Sequence, residues 1–365
     1  MLEEGRISKR QFFWTIVVII ITMSMFRLPH LVLWRARQDF WLAFLMAIVL
    51  DIVVGCFLFV LGRRYRGMTI YGYSERVLGK LLGKLAAAAY VLLFFEMAAL
   101  ETRNFAEAFL LVMPETPIWV FATILVALAA YAVSSGLEVI ARAAELVGPI
   151  VSLLATAVPS LTSNRIRPAN LLPLLQTPPL AIIETGLVVT SFFGVCVVMG
   201  VLMAYVNEPS KALKVKAGAV VISGVLMMYG YTTAVALFGE EAFSSLINTH
   251  YNVARMISVR GFFEHVEVMI LPLWTGAAFL AISVFYYCTS IGVAQIIGLK
   301  TLRYVVPSVG IAVAARAFLG FRSGPHMDRY VTGTLVWYAL AVEACLTLLL
   351  LVVSTIRQRS DESGR

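Results

Sequence analysis

Ten long apolar blocks constrain this chain more than any other feature. They lie at about 11–34, 40–61, 83–111, 117–135, 139–160, 183–205, 214–237, 267–297, 302–320 and 331–355. Each approaches the roughly 20 apolar residues that a bilayer-spanning helix needs. No period-two alternation runs through them, which argues against an outer-membrane barrel. Backbone groups in lipid must bond within their own segment, so helices remain. Composition agrees: 60% of the 365 residues are hydrophobic and 14% charged. A soluble fold needs more polar surface than that. The chain therefore reads as an all-α polytopic membrane protein, one transmembrane domain over 1–365 with no room for a soluble domain.

The net charge of +8 is distributed by loop. Lys and Arg number 18 on one side: Arg6, Lys9 and Arg10, the run from Arg63 to Lys84, Arg142, Lys211, Lys214 and Lys216, Lys300 and Arg303, and three in the tail. Nine fall on the other side, and Arg27 and Arg316 lie inside spans 1 and 9. The positive-inside rule puts both termini in the cytoplasm, as an even number of spans requires. Basic residues thus report topology and anionic headgroups, and no nucleic-acid partner is expected. Phe26-Arg27-Leu28-Pro29 is no small-residue cleavage site, so span 1 reads as an uncleaved anchor. Cys56, Cys196, Cys288 and Cys345 all fall inside spans and read as reduced packing residues.

Two connections are longer than the rest, both on the outer side. The first, 161–182, is proline-rich and reads as an extended crossing between two halves. The second, 239–266, has apolar residues at helical spacing and reads as short surface helices. Five spans before the crossing and five after it make the halves enter the membrane in opposite directions. That is a 5+5 inverted repeat, about 11–160 and 183–355, in which the first helix of each half is interrupted. Span 1 carries Thr22, Ser24, Arg27 and Pro29 within eight residues; span 6 carries Thr190, Ser191, Gly194 and Gly200. In span 1 proline removes a donor and disfavours helix in the residue before it. In span 6 the clustered Ser, Thr and Gly point the same way, although such residues are also ordinary at helix contacts in membranes. Both spans are expected to be broken.

Tyr131-Ala-Val-Ser-Ser-Gly136-Leu-Glu138-Val-Ile-Ala-Arg142-Ala-Ala-Glu145 resembles the Gly-(Ile/Leu)-Glu-x-(Ile/Leu)-(Ala/Gly)-Arg segment of the spore germination B subunits, the GerAB-type permease-like proteins. Ile7, Ser8 and Gln11, Leu28-Pro29, the Asp39-Phe40-Trp41 start of span 2 and the Arg64 to Lys80 loop fit the same family. Asn207-Glu208-Pro209-Ser210-Lys211 resembles the end of helix 6 in the wider amino acid–polyamine–cation transporter superfamily. The family's glycine-rich stretch in span 1 is replaced here by Ile21-Thr-Met-Ser-Met-Phe-Arg27.

The resemblance implies a LeuT-like fold, a ligand pocket walled by spans 1, 3, 6 and 8, and a complex with germination A and C subunits in the inner membrane of a spore-forming bacterium or its spore. The residues expected in the pocket are Thr22, Ser24, Met25, Phe26, Glu96, Leu100, Thr190, Ser191, Phe193, Gly194, Tyr287 and Thr289. Freed backbone groups at broken helices would hold a small ligand such as an amino acid.

Charges at mid-bilayer are costly and each needs a reason. Arg27, Asp51, Glu96, Arg103, Glu107 and Glu343 are such charges, with Glu96, Arg103 and Glu107 on one helix face. They form either a polar lining with a proton path or static pairs, for example Arg27 with Asp51 or Glu343. Arg316 is placed to snorkel. Glu138, Arg142 and Glu145 form a stripe at the start of span 5, either an interfacial salt-bridge row or a cytoplasmic docking and gating patch. Glu264-His265-x-Glu267 sets its side chains side by side, and no metal site is expected. No nucleophile–base set or phosphate loop appears, so neither an enzyme nor a cofactor is expected. Two functions compete: a germinant receptor subunit, and an amino-acid transporter coupled to H+ or Na+. A non-binding scaffold subunit is a remoter third.

Overall fold

The computed structural model describes residues 5–25, 27–193, 196–239, 249–256 and 266–363. Span 1 is two helices, α1 (Lys9–Met23) and α2 (Leu28–Ala36). Ser8 caps α1 with a reciprocal Ser8–Gln11 capping box. Span 2 is α3 (Phe40–Arg64), and the short α4 (Ile70–Leu78) leads to span 3, α5 (Lys80–Phe109). Spans 4 and 5 are α6 (Ile118–Ser134) and α7 (Leu137–Leu161). Span 6 is α8 (Pro179–Phe193) and α9 (Cys196–Leu202), and span 7 is α10 (Ala212–Phe238). A short α11 (Thr249–Arg255) precedes span 8, α12 (Val266–Ile297), and span 9 is α13 (Val305–Leu319). Span 10 begins with α14 (Gly324–Tyr330). It passes through a π turn (Val331–Leu335), α15 (Val336–Leu340) and a second π turn (Ala341–Leu346), and ends in α16 (Thr347–Ser363).

All ten expected spans are helical in their described residues outside the span 1 break, with boundaries within a few residues of the apolar blocks except at span 10, which starts earlier and ends later. The 161–182 crossing is extended with two single 3-10 turns. Of the 239–266 connection, α11 is a short helix as expected, but it packs on α7, α10 and α12 and buries Val253 and Ala254; 240–248 and 257–265 lie outside the described residues.

Burial separates the spans into two sets. α1 from Thr15, α8 from Thr185 with α9, and most of α12 are enclosed. α12 packs on α5, α6, α7 and α1, while α1 packs on α7 and α10. The outer helices turn Val49, Leu85, Leu128, Leu146, Leu153, Ile311 and Leu349 outward, as a lipid-facing surface requires. Small residues allow the close approaches. Gly83 brings α5 onto α4 so tightly that an added Cβ would sit 2.3 Å from the Glu75 Cα. Gly136, between α6 and α7, has φ +95°, a conformation that excludes most side chains.

Candidate functional site

Span 1 is interrupted at mid-membrane by the residues that the sequence singles out. The Ser24 N–H bonds back to Ile20 and the Met25 N–H to Thr22, closing α1. α2 restarts at Leu28 with Pro29 in its first turn, where a missing N–H breaks no helical bond. The Ser24 carbonyl accepts from the Tyr231 hydroxyl of α10, while the Ser24 hydroxyl is buried without a partner among the described residues. In span 6, α8 ends at Phe193 and α9 begins at Cys196.

Residues 194 and 195 between them lie outside the described residues. Beside the span 1 break and the end of α8 lies a small closed cavity of ≈ 10 Å³, lined by Met23, Leu93, Phe94, Met97, Ser191, Phe192, Phe285 and Glu343. It has room for about one water molecule. Spans 1, 3, 6, 8 and 10 all reach it.

The expected pocket residues divide around this cavity. Ser191 lines it. Thr22, Met25, Leu100, Thr190, Phe193 and Tyr287 are buried in the surrounding packing. The Thr22, Thr190 and Ser191 hydroxyls donate to carbonyls one turn back, at Val18, Gly186 and Val188. Thr289 lines a separate apolar groove between α5, α12 and α13, with Val91, Leu92 and Val309. Phe26 and Gly194 lie outside the described residues. Glu96 is turned away from the cavity and grips Arg316: its two oxygens accept from Nε at 3.0 Å and the terminal guanidinium nitrogen at 2.9 Å. The Tyr330 hydroxyl donates to the same carboxylate.

Met23, Leu93, Phe94, Met97, Phe192 and Phe285 are the wall that sequence reading missed. Apolar side chains in apolar spans carry no distinguishing signal. The usable clue was position, since each lies within a few residues of an expected site residue.

The intramembrane charges pair differently from the sequence expectation. Arg27 joins neither Asp51 nor Glu343. It donates to Asp328 at 2.6 Å, Glu107 at 2.7 Å and Asn104 at 3.2 Å, because the break turns its side chain toward α5 and α14. Arg103 holds the other Glu107 oxygen at 2.8 Å. Asp51 pairs with Lys216, which the sequence analysis counted with the loop charges at the edge of the 214–237 block. α10 already runs at that point, and Gly55 on α3 leaves the channel through which the lysine stem passes. Arg316 does not snorkel: besides Glu96 it lies over the Phe321 and Tyr330 rings at 4.4 and 5.0 Å.

Both ends above and below the cavity are latched. On the face away from the termini, Arg27, Glu107 and Asp328 tie spans 1, 3 and 10 together. Phe44 packs edge-on against Phe193 and Tyr231 beneath them, at 5.8 and 5.2 Å. On the face that carries both termini, Ile7 pairs with the segment after α9 through two backbone bonds of 2.9 Å. Lys9 reaches Glu208 at 3.2 Å, and Arg10 reaches Glu145 at 3.0 Å. Glu138 pairs with Arg142, so the expected stripe is split between α7 itself and the α1 latch. A larger hollow of ≈ 570 Å³ opens on this face beside the latch, lined by Arg6, Arg63, Arg66, Tyr73 and Met203 among others. It does not reach the central cavity's lining residues.

Comparison with solved structures defines the class of this fold. A Na+-coupled sialic acid symporter in a substrate-bound, outward-open state superposes with TM-score 0.62 at 13% identity. That match covers 91% of this chain and 78% of the symporter. MhsT in complex with L-phenylalanine superposes with TM-score 0.64 at 13% identity, covering 97% and 99%. The architecture is therefore the ten-helix, 5+5 inverted-repeat fold of LeuT-like proteins.

The family described as spore germination protein (spore permease) matches residues 6–319, and the chain belongs to it. Spore germination protein YndE of Bacillus subtilis (strain 168) is 25% identical over 359 residues, 95% of this chain and 96% of YndE. Spore germination protein KB of the same organism is 24% identical, over 100% of this chain and 98% of its own length. These are the relatives that the GerAB-type motif of residues 131–145 implied.

Proposed function

We propose that this chain is the membrane-embedded, ligand-sensing subunit of a spore germination receptor, and not an enzyme. Its ligand is a small molecule of the amino-acid class, bound at the central cavity between the broken spans. Thr22, Ser24, Met25, Phe26, Ser191 and Gly194 lie nearest in the chain to that site. Glu96 acts from behind the wall, fixing α5 against Arg316. The site opens when the two repeats, 11–160 and 183–355, shift against each other and the latches release. Occupancy then biases the balance between closed and open forms, and partner A and C subunits read the change. The Glu138–Arg142–Glu145 stripe lies where such a partner docks. The protein resides in the inner membrane of the spore or its parent cell, with both termini cytoplasmic.

The observation that carries this reading is the closed cavity at the junction of five spans, latched at both ends, in a member of the spore germination family. A second reading, an amino-acid transporter coupled to H+ or Na+, is favoured by the fold shared with a symporter and with a phenylalanine-bound protein.

The two separate in proteoliposomes of the pure protein. The receptor reading expects at least one of the twenty L-amino acids to raise the melting temperature without gradient-driven uptake of the same radiolabelled amino acid. Robust uptake driven by a pH or Na+ gradient would overturn it.

A further inference from the structure

Most charges inside the described parts of the spans are paired. Asp51 is matched by Lys216, and Glu96 by Arg316. Glu107 and Asp328 are matched by Arg27 and Arg103. Two buried carboxylates within the spans have no ion-pair partner among the described residues, Glu101 and Glu343. Glu101 receives the Asn104 amide at 3.4 Å, its Oε2 is unpartnered among the described residues, and it does not line the cavity. Glu343 is the one of the two that does. It is 3% exposed, its Oε1 has no hydrogen-bond partner among the described residues, and it lines the central cavity. It sits inside the second π turn of span 10, where an extra residue in the turn directs the side chain to the cavity.

A carboxylate sealed from water without a counter-charge is strongly unfavourable. Its surroundings do not supply the charge. From α3 and α10 the facing groups are Asp51 and Lys216, which already neutralise each other. From α5 it is the Tyr90 hydroxyl, engaged with Thr347. From α8 it is Ser191, whose hydroxyl donates to Val188. The rest of the lining is apolar, with Met23 and Met97 as the adaptable walls.

We infer that Glu343 is the cation acceptor of the central site. It carries a proton while the cavity is closed and empty, and it exchanges that proton for the ammonium group of an amine-bearing ligand. The exchange balances: the carboxyl O–H bond breaks, the proton leaves to solvent, and the ligand's N–H donors replace it on the same oxygens. Ligands of the site must then carry a free amine, and binding releases about one proton per ligand, the single charge that one carboxylate can accept. The inference rests on the central-site reading above.

The test is calorimetry on the full chain in lipid nanodiscs. The twenty L-amino acids and their N-acetyl derivatives serve as probes, in two buffers of different ionisation heat. The expected result is that an amino acid binds with release of about one proton, and that its N-acetyl derivative binds at least about tenfold more weakly, as loss of a charged hydrogen bond predicts. Glu343→Gln is expected to lower affinity to a similar degree and abolish the proton release, while Glu343→Asp retains it. Unchanged affinity and proton release in Glu343→Gln would overturn the assignment while leaving the central site intact. If Glu343→Gln does not fold, the native protein decides: binding without proton release, or equal binding of the N-acetyl derivative, overturns it. No binding of any amino acid to the native protein overturns the central-site reading and this inference with it.

Discussion

Asp51 and Lys216 are 1% exposed or less, in a chain where every buried charge is expensive, and they are 165 residues apart. The Lys216 ammonium also donates to the Asp51 carbonyl at 2.6 Å, so the pair is a hydrogen-bonded clamp between α3 and α10. Removing one partner strands the other. Asp51→Ala should therefore destabilise the protein by about 3–5 kcal/mol, and the double replacement Asp51→Leu with Lys216→Met should recover most of that loss. Thermal unfolding in a fixed detergent checks it, and equal losses in the single and double variants would contradict it. The sequence showed that Asp51 needed a partner and misassigned it. Lys216 lies inside the 214–237 block but was counted with the loop charges, two residues from the block's edge, and Arg27 pairs with Asp328, 301 residues away. Ion pairs between distant spans depend on side-chain direction, which spacing within one span does not encode.

The individual helices were legible because bilayer thickness fixes their length and composition. So was the break in span 1, since Pro29 and the Thr22 to Arg27 run violate helix chemistry locally. The π turns of span 10 were not legible, because Val331–Leu335 and Ala341–Leu346 contain no proline and nothing in their composition marks an extra residue. The α4–α5 junction is a further element-scale constraint. Gly83→Ala would place a methyl group against the Glu75 backbone, which cannot swing aside as a side chain can. It should lower stability by about 1–3 kcal/mol through overpacking, whereas Gly276→Ala, with open space around its Cβ, should be near neutral. Parallel melting curves of the two variants test the contrast, and equal melting temperatures would refute it.

On the scale of the whole molecule, the crossing between the two repeats is held by Asp39, in the turn between α2 and α3. Its carboxylate accepts the backbone N–H groups of Leu175, Gln176 and Thr177 at 2.6–3.0 Å. Burial pushes this carboxyl up, but those bonds and one from the Thr177 hydroxyl outweigh it, so it ionises below its ordinary 3.8. The stabilisation is complete above about pH 4, where the unfolded group is also ionised. It is lost as pH falls through the lowered value. Amide protection at residues 175–177, the slowing of exchange relative to a free peptide at the same pH, should be high at neutral pH and fall only under acid. Asp39→Asn should show low protection at all pH values, and pH-independent protection in the native protein would exclude this tether. That two halves exist was readable from five spans on each side of a proline-rich link. What fastens the link to the first half was not, because the bonds run to main-chain groups.

The two π turns have a further consequence for the far end of span 10. Each π turn accommodates about one residue more than an α turn, so each rotates everything beyond it by about 100°. They act as phase shifters. A helical wheel drawn from Gly324 at constant step assigns the wrong side of α16 to the interior. In the folded chain Thr347 meets Tyr90, and Ser354 meets both Arg64 and Tyr65. Losing a single residue within either turn would leave every one of these side chains in the sequence and turn them from their partners.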